Sequence, residues 1–299
     1  MSLAPIIVFA YNRPDLLQRT LDSLGQNELI SSSEVFIYCD GAKTGASESD
    51  RSRLEATAAV ARSFSGPAAV TVTVRETNMG LATSVITGIT EIINRFGRAI
   101  IIEDDVLLSR YFLRFMNDAL TVYENEPKVK SIGSWVYYKD KFPYSYFLRV
   151  PDTIAWATWK KDWEEFEKDP VVLKTELANR NLTDRFNLDG NLDQMRMLND
   201  QIAGRVNSWA IRWAANFILN DKYCFYPKQA LAKHIGFAKG ATHTQTMDYN
   251  KNLVVSQSQI RVERMEPKED EAALATLVKF NRSLNRLHKK LLNLILSKF

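Results

Sequence analysis

Short apolar runs alternate with amphipathic helical patterns over the first hundred residues. The apolar runs cover residues 6–10, 35–39, 70–74 and 99–102. One helical pattern begins at Pro14, and two others cover about residues 49–64 and 80–96. Strands that alternate with helices predict βαβ units, and therefore a mostly parallel sheet with helices on both faces. The predicted fold class is α/β, of the Rossmann type.

The composition excludes several other classes of protein. The 299 residues are 45% hydrophobic and 25% charged, as in globular domains, so a disordered or fibrous chain is excluded. The two cysteines, Cys39 and Cys224, are too few for a disulfide framework and favour a reducing compartment. No secretory signal pattern or membrane-spanning apolar stretch is present, so we expect a cytoplasmic protein.

The basic excess of the chain lies at its end. The net charge is +4, but residues 272–299 contain six Lys or Arg and no acid, which leaves −2 for residues 1–271. Apolar residues from Leu284 to Ile295 follow 3–4 spacing and predict an amphipathic helix over 273–299, after a linker from about residue 263. Such a helix suits an anionic membrane surface, and equally packing on the domain or on a second subunit. No nucleic-acid motif accompanies it.

Polar residues follow the predicted strands. Arg13 follows the first, Asp40 the second, Asn78 precedes the third helix, and Glu103-Asp104-Asp105 follows the fourth strand. Ligands of parallel α/β sheets bind beyond the carboxyl ends of the strands, so we expect these side chains at one edge of the sheet.

Each of these positions allows a functional and a structural interpretation. Three consecutive carboxylates at a strand end could hold Mg²⁺ or Mn²⁺, or could form a solvated acidic turn. Arg13 at a helix start could bind a phosphate, or could be an ordinary surface arginine. Asp40 could accept hydrogen bonds from a base or ribose, or could form a turn, and Asn78 could be a helix cap.

Four motifs together resemble those of GT-A-fold glycosyltransferases. The similarity is to the family 2-like sugar transferases of bacterial polysaccharide assembly and to N-acetylglucosaminyltransferases with a Glu-Asp-Asp motif. It spans about residues 4–245. The motifs are Ala4 to Leu24, Cys39-Asp40-Gly41, Asn78-Met79-Gly80-Leu81 and Ile100 to Asp105.

The resemblance implies hexosyl or N-acetylhexosaminyl transfer from a nucleotide-sugar, UDP-linked, to a saccharide or lipid-linked saccharide, with Mn²⁺ or Mg²⁺. It implies a domain over residues 4–262, with a nucleotide-sugar-binding half (4–105) and an acceptor-side half (106–262). The linker and basic helix (263–299) would follow it, and a peripheral position on the inner face of the membrane would be an alternative to a free cytoplasmic protein.

The same resemblance implies a role for each matching residue. Arg13 and Asp40 would hold the base and the phosphates, and Asn78 would hold the nucleotide. Glu103 and Asp104 would contact the donor sugar and the ribose, while Asp105 would bind the metal. The resembling transferases also carry a histidine near the metal on the C-terminal side. His243 matches that placement, and His234 is the less favoured alternative.

Tryptophans mark the second half of the chain. Residues 158–168 are predicted to be helical, and Trp156, Trp159 and Trp163 follow a 3–4 spacing that could place them on one helix face. Trp209 and Trp213 are four apart on another predicted helix. Such positions favour the core, although Trp156 and Trp209 near loop ends could stack on a sugar ring.

At the position of the catalytic base, this sequence differs from the resembling family. Asn207 stands where those enzymes carry an acid, and an amide cannot act as a general base. Asp200, Asp193 or Asp152 could supply the carboxylate. Alternatively, the alignment is displaced, the transfer is retaining, or the protein is a catalytically weak nucleotide-sugar-binding scaffold.

A metal-dependent nucleotidyltransferase is a further alternative, because such enzymes also use carboxylates at strand ends. They usually carry a glycine-rich basic loop after the first strand. Residues 10–14 contain one arginine and no glycine, which disfavours this class.

Overall fold

The computed structural model describes residues 2–136, 142–236 and 252–296, with residues 284–296 as backbone only. The strands are β1 (Ile6–Ala10), β2 (Glu34–Cys39), β3 (Ala69–Val74), β4 (Arg98–Glu103), β5 (Val106–Leu108), β6 (Val129–Ile132), β7 (Tyr146–Leu148), β8 (Ala155–Trp159), β9 (Tyr223–Tyr226) and β10 (Ala232–His234). The helices are α1 (Pro14–Gly25), α2 (Glu48–Ser63), α3 (Leu81–Phe96), α4 (Phe112–Val122), α5 (Lys160–Glu164), α6 (Pro170–Asn179), α7 (Thr183–Phe186), α8 (Gln194–Ile202), α9 (Trp209–Leu219) and α10 (Glu271–Leu296).

An eight-stranded sheet has the order β3-β2-β1-β4-β8-β6-β9-β7, while β5 and β10 form a separate antiparallel pair. The strands β1, β2, β3 and β4 run parallel to one another. β8 pairs antiparallel with both β4 and β6, and β7 pairs antiparallel with β9, so the other six strands run in one direction. The prediction of a mostly parallel α/β sheet is confirmed.

Helices cover both faces of the sheet because alternate strand residues face opposite ways. In β1, Ile6 and Val8 belong to the apolar cluster that contains residues of α1, α2 and α4. Ile7 and Phe9 belong to the cluster that contains residues of α3, α9 and the start of α10. All of β1 is buried, as expected for a central parallel strand.

The prediction of one helix over residues 158–168 is wrong. The structure places Trp156 and Trp159 on β8, a strand paired on both sides, and the helix α5 begins only at Lys160. The two indoles therefore do not share a helix face but lie in the clusters on opposite faces of the sheet. A short apolar segment can satisfy both helical and strand periodicity, and strand pairing decides between them here.

The segment predicted as a linker packs along the domain. Tyr123 Oη donates to the Glu263 carbonyl at 3.2 Å and accepts from the Met265 amide at 3.0 Å. The Glu269 carboxylate accepts from Arg149 Nη1 at 3.1 Å, and the Asp270 amide donates to the Phe147 carbonyl at 2.9 Å. These contacts cover the edge strand β7 and fix where α10 begins.

No helix in the described part of the chain is both long enough and apolar enough to cross a bilayer.

An aromatic cluster fills the face of the sheet under α9. The fully buried Trp213 ring lies 5.3 Å from Trp163 and 5.7 Å from Trp156, centroid to centroid. The ammonium of Lys130 also lies against this ring, 5.0 Å from its centroid. Trp213 of α9 therefore packs against Trp163 of α5, Trp156 of β8 and the buried side chain of Lys130.

We predict that Trp213→Ala lowers the free energy of unfolding by about 3–5 kcal/mol, because it removes a buried indole and leaves a cavity. Val171, which is 53% exposed, supplies the control: Val171→Ala should change it by less than about 0.5 kcal/mol. Urea denaturation followed by circular dichroism measures both. Equal effects of the two substitutions would contradict the packing role.

Candidate functional site

The acidic triplet lies where β1 and β4 end side by side. These strands are parallel, with Phe9 opposite Glu103, so the residues after each strand meet. Arg13 Nη1 donates to Asp105 Oδ2 at 2.7 Å. The Tyr11 amide donates to Asp104 Oδ2 at 3.2 Å. The predicted meeting of the first and fourth strand ends is therefore present.

A histidine from the second half of the chain completes this group. β10 pairs antiparallel with β5, which places His234 opposite Val106. His234 Nε2 lies 3.1 Å from Asp105 Oδ2, and the Ile235 amide donates to the Asp105 carbonyl at 2.8 Å. The sequence favoured His243, which lies outside the described residues, over His234. The available signal in the sequence is the short strand-like segment over residues 231–235, near whose end His234 stands.

Gly236 leaves the space that the Asp105 carboxylate occupies. A Cβ built on Gly236 would lie 1.9 Å from Asp105 Oδ2, far inside van der Waals contact. The second residue after β10 must therefore lack a side chain for this carboxylate to keep its position. Asp105 Oδ1 is also buried, and within the described part of the chain it has no hydrogen-bond partner.

Desolvation dominates the electrostatics of the triplet. Burial, followed by repulsion from Asp105, raises the pKa of Asp104 to about 7. The same two causes and repulsion from Asp104 raise the pKa of Glu103 well above its usual value. The charge of Arg13 opposes both shifts. Three crowded carboxylates beside one guanidinium form a place where added positive charge is favourable.

This group suits a divalent cation with two protein ligands. No cluster of three or more His, Cys, Asp or Glu arranged for a metal occurs among the described residues. Asp105, with its unpartnered buried Oδ1, and His234 supply an oxygen and a nitrogen donor on one side. Mg²⁺ and Mn²⁺ commonly bind through one or two protein ligands, with waters and substrate phosphates completing the shell.

A second polar group joins the ends of β2 and β3. Asp40 Oδ1 accepts from the Met79 amide at 2.9 Å, and Oδ2 accepts from the Gly80 amide and from Asn78 Nδ2 at 3.0 Å each. Asn78 Nδ2 also donates to the Gly41 carbonyl at 3.1 Å. Asp40 and Asn78 therefore clamp the chain entering α3 onto the end of β2. Their contact with a nucleotide stays a prediction.

We expect Asp40→Asn to lower the free energy of unfolding by about 2–3 kcal/mol, because an amide group would then face backbone donors that need an acceptor. Asp189→Asn serves as the matched control, since Asp189 is exposed and has a φ of 52°, which asparagine tolerates. Thermal and urea unfolding measure the difference. An Asp40→Asn variant as stable as the control would contradict the clamp.

The candidate residues of the second half have other partners. Trp209 is only 3% exposed and stacks on Trp156, with ring centroids 5.4 Å apart, so both indoles take the core position and offer no open face to a sugar. Asp200 accepts from Arg205 Nε at 2.7 Å. Asn207 Oδ1 accepts from Arg212 Nη2 at 3.2 Å. None of these contacts joins the group at Asp105.

The two other acids considered for the base have structural contacts. Asp193 caps α8 through the Arg196 amide. The buried Asp152 accepts from the amides of Ser134, Trp135 and Ile154 at 2.8, 2.9 and 3.0 Å. Asp152 thus holds the turn that follows β6.

Asn207 contacts a buried arginine, which the sequence alone does not reveal. Arg212 is 8% exposed, and its guanidinium donates to the carbonyls of Ser208 and Lys168 and to Asn207, all neutral acceptors. Burial lowers the pKa of Arg212. An acid at position 207 would pair with the Arg212 cation. This pairing would lower the pKa of the acid and make the acid a weaker base.

Comparisons with known proteins find similarity among solved structures. No protein-family model and no curated protein sequence matches the chain. The structure of S. aureus TarS is 16% identical over 44% of this chain and 21% of that chain, with a TM-score of 0.31. S. aureus TarS 1-349 is 10% identical over 78% and 60%, with a TM-score of 0.44. The galactosyltransferase LgtC, solved with donor and acceptor sugar analogues, is 11% identical over 74% and 72%, with a TM-score of 0.38.

Proposed function

We propose that the chain is a glycosyltransferase that moves a sugar from a nucleotide-sugar donor, UDP-linked, to a hydroxyl group of a saccharide acceptor. One observation carries the proposal: Asp105 is held between Arg13 and His234 at the carboxyl ends of β1 and β4. Open α/β sheets bind their ligands beyond these strand ends. The sequence motifs at Asp40, Asn78 and the acidic triplet support the same class.

Asp105 and His234 are the proposed ligands of Mn²⁺ or Mg²⁺. Such a cation neutralises negative charge on a departing nucleoside diphosphate. Arg13, whose guanidinium already contacts Asp105, adds a fixed positive charge beside the leaving group. Glu103 and Asp104 are proposed to contact the donor sugar and ribose, and His243 stays a further candidate ligand.

The proposal for the acceptor-binding residues rests on fewer contacts than the proposal for the metal ligands. Asp200 is the proposed base for the acceptor hydroxyl, and Asn207 is proposed to orient that hydroxyl through its amide. The ion pair of Asp200 with Arg205 must open for this role, because a paired carboxylate is a weaker base. The amide at 207 keeps a second function possible, namely a nucleotide-sugar-binding protein without turnover.

The first test measures nucleotide release from a panel of UDP-, GDP- and dTDP-sugars in Mn²⁺. We expect turnover by the wild type and at least a roughly hundredfold loss in Asp105→Asn and in His234→Ala, since each removes a proposed metal contact. Asp189→Asn should keep full activity. Binding without turnover in the wild type would favour the binding protein, and full activity of Asp105→Asn would refute the metal assignment.

A second test uses the close contact at Gly236. Gly236→Ala should displace the Asp105 carboxylate and weaken Mn²⁺-dependent UDP binding at least about tenfold, because the added methyl group needs the space of Asp105 Oδ2. Calorimetric titration with UDP measures the change. Gly25→Ala is the matched control, since its Cβ would meet only Phe64 at an ordinary 3.6 Å. Equal UDP affinity of the two variants would contradict the positioning role of Gly236.

A further inference from the structure

The first three turns of α10 are anchored on the domain. Ala273 and Leu277 are buried in the cluster that contains the tryptophans of α9. Phe280 is buried against Trp135, with ring centroids 5.9 Å apart. Trp135 follows β6, which runs parallel to β4, so this contact lies toward the sheet end that carries Asp105. The anchored turns therefore fix where the rest of α10 leaves the domain.

The apolar stripe of α10 does not stop where the anchoring contacts stop. Ala273, Leu277 and Phe280 are separated by four and three residues, and this spacing continues in the sequence. The positions that continue it are Leu284, Leu287, Leu291 and Leu294. The backbone stays helical to Leu296, so these positions lie on the same face of one continuous helix. From Phe280 to Leu296, the helix adds about 24 Å at 1.5 Å per residue.

A basic stripe accompanies the apolar one. Lys279 and Arg282 are exposed on the anchored half. Arg286, Lys289 and Lys290 continue their 3–4 spacing, and residues 272–299 contain no acid. A helix with an apolar stripe and a polar side whose charges are all basic fits the interface of an anionic bilayer. Each Lys or Arg near such a surface adds about 1 kcal/mol of attraction.

We propose that residues 284–296 of α10 dock on an anionic lipid surface, with the leucine stripe in the interface and the basic stripe at the headgroups. The charge pattern favours lipid over a second copy of the chain, because two such helices packed together would bring like charges into contact. The anchored first turns then hold the domain at a fixed position relative to the bilayer. This proposal does not depend on the proposed glycosyl transfer.

The test is co-sedimentation of the full chain with vesicles of phosphatidylcholine alone or mixed with phosphatidylglycerol. We expect binding to the anionic vesicles only, and a decrease as salt rises. Lys289→Gln/Lys290→Gln should weaken binding about thirtyfold, as expected for the loss of two charges. Lys168→Gln/Lys174→Gln removes two exposed charges elsewhere and should leave binding unchanged.

A second variant examines the apolar stripe. Leu287→Glu/Leu291→Glu should abolish binding to anionic vesicles while circular dichroism and nucleotide release stay those of the wild type. Equal binding to neutral and anionic vesicles, or none to either, would overturn the proposal. A dimer in sedimentation velocity that Leu287→Glu/Leu291→Glu dissociates, without vesicle binding, would assign the stripe to a second copy instead.

Discussion

The placement of three consecutive carboxylates at the end of β4, Glu103 partly buried and Asp104 and Asp105 buried, is the constraint on which the candidate site depends. Removing carboxylates from water is costly, and like charges so close together add repulsion. The fold offsets this cost by placing Arg13 and His234 against Asp105 and the Tyr11 amide against Asp104. These partners come from two different strand ends, so the acidic triplet determines how β1 and β10 must lie relative to β4.

Two strand pairings bring those partners together. The parallel pairing of β1 with β4 aligns their carboxyl ends and delivers Arg13. The separate pair formed by β5 and β10 returns the chain to the same place more than a hundred residues later and delivers His234. Gly236 then allows the close approach to Asp105. The site is thus built by chain segments far apart in sequence and held by a few short contacts.

The sequence predicted the first half of the fold well and the second half less well. Strands β1 to β4 are apolar runs separated by amphipathic helices, and a parallel sheet is the arrangement that buries both patterns. In the second half, β8 has tryptophans at helical spacing, and only its pairing with β4 and β6 makes it a strand. The helix α6 also went unpredicted, although Asp169 before Pro170 is a capping signal that the structure confirms.

The site shows the same limit of sequence information. The order Arg13, Asp40, Asn78 and Glu103 to Asp105 along successive strand ends predicted a shared edge, because parallel pairing follows from the local pattern. The position of His234 beside Asp105 depends on the pairing of β10 with β5, which no local pattern encodes, while His243 lies outside the described residues. The core positions of Trp156 and Trp209 likewise depend on long-range packing.

The central claim is that Asp105 and His234 together bind a divalent cation beside a nucleoside diphosphate. A crystal structure of the chain grown with Mn²⁺ and UDP, with anomalous scattering to locate the manganese, tests it most directly. We expect one manganese peak bonded to the Asp105 carboxylate and His234 Nε2, with diphosphate oxygens in its shell. A manganese bound elsewhere with UDP, or UDP bound without manganese while Arg13 still pairs with Asp105, would contradict it.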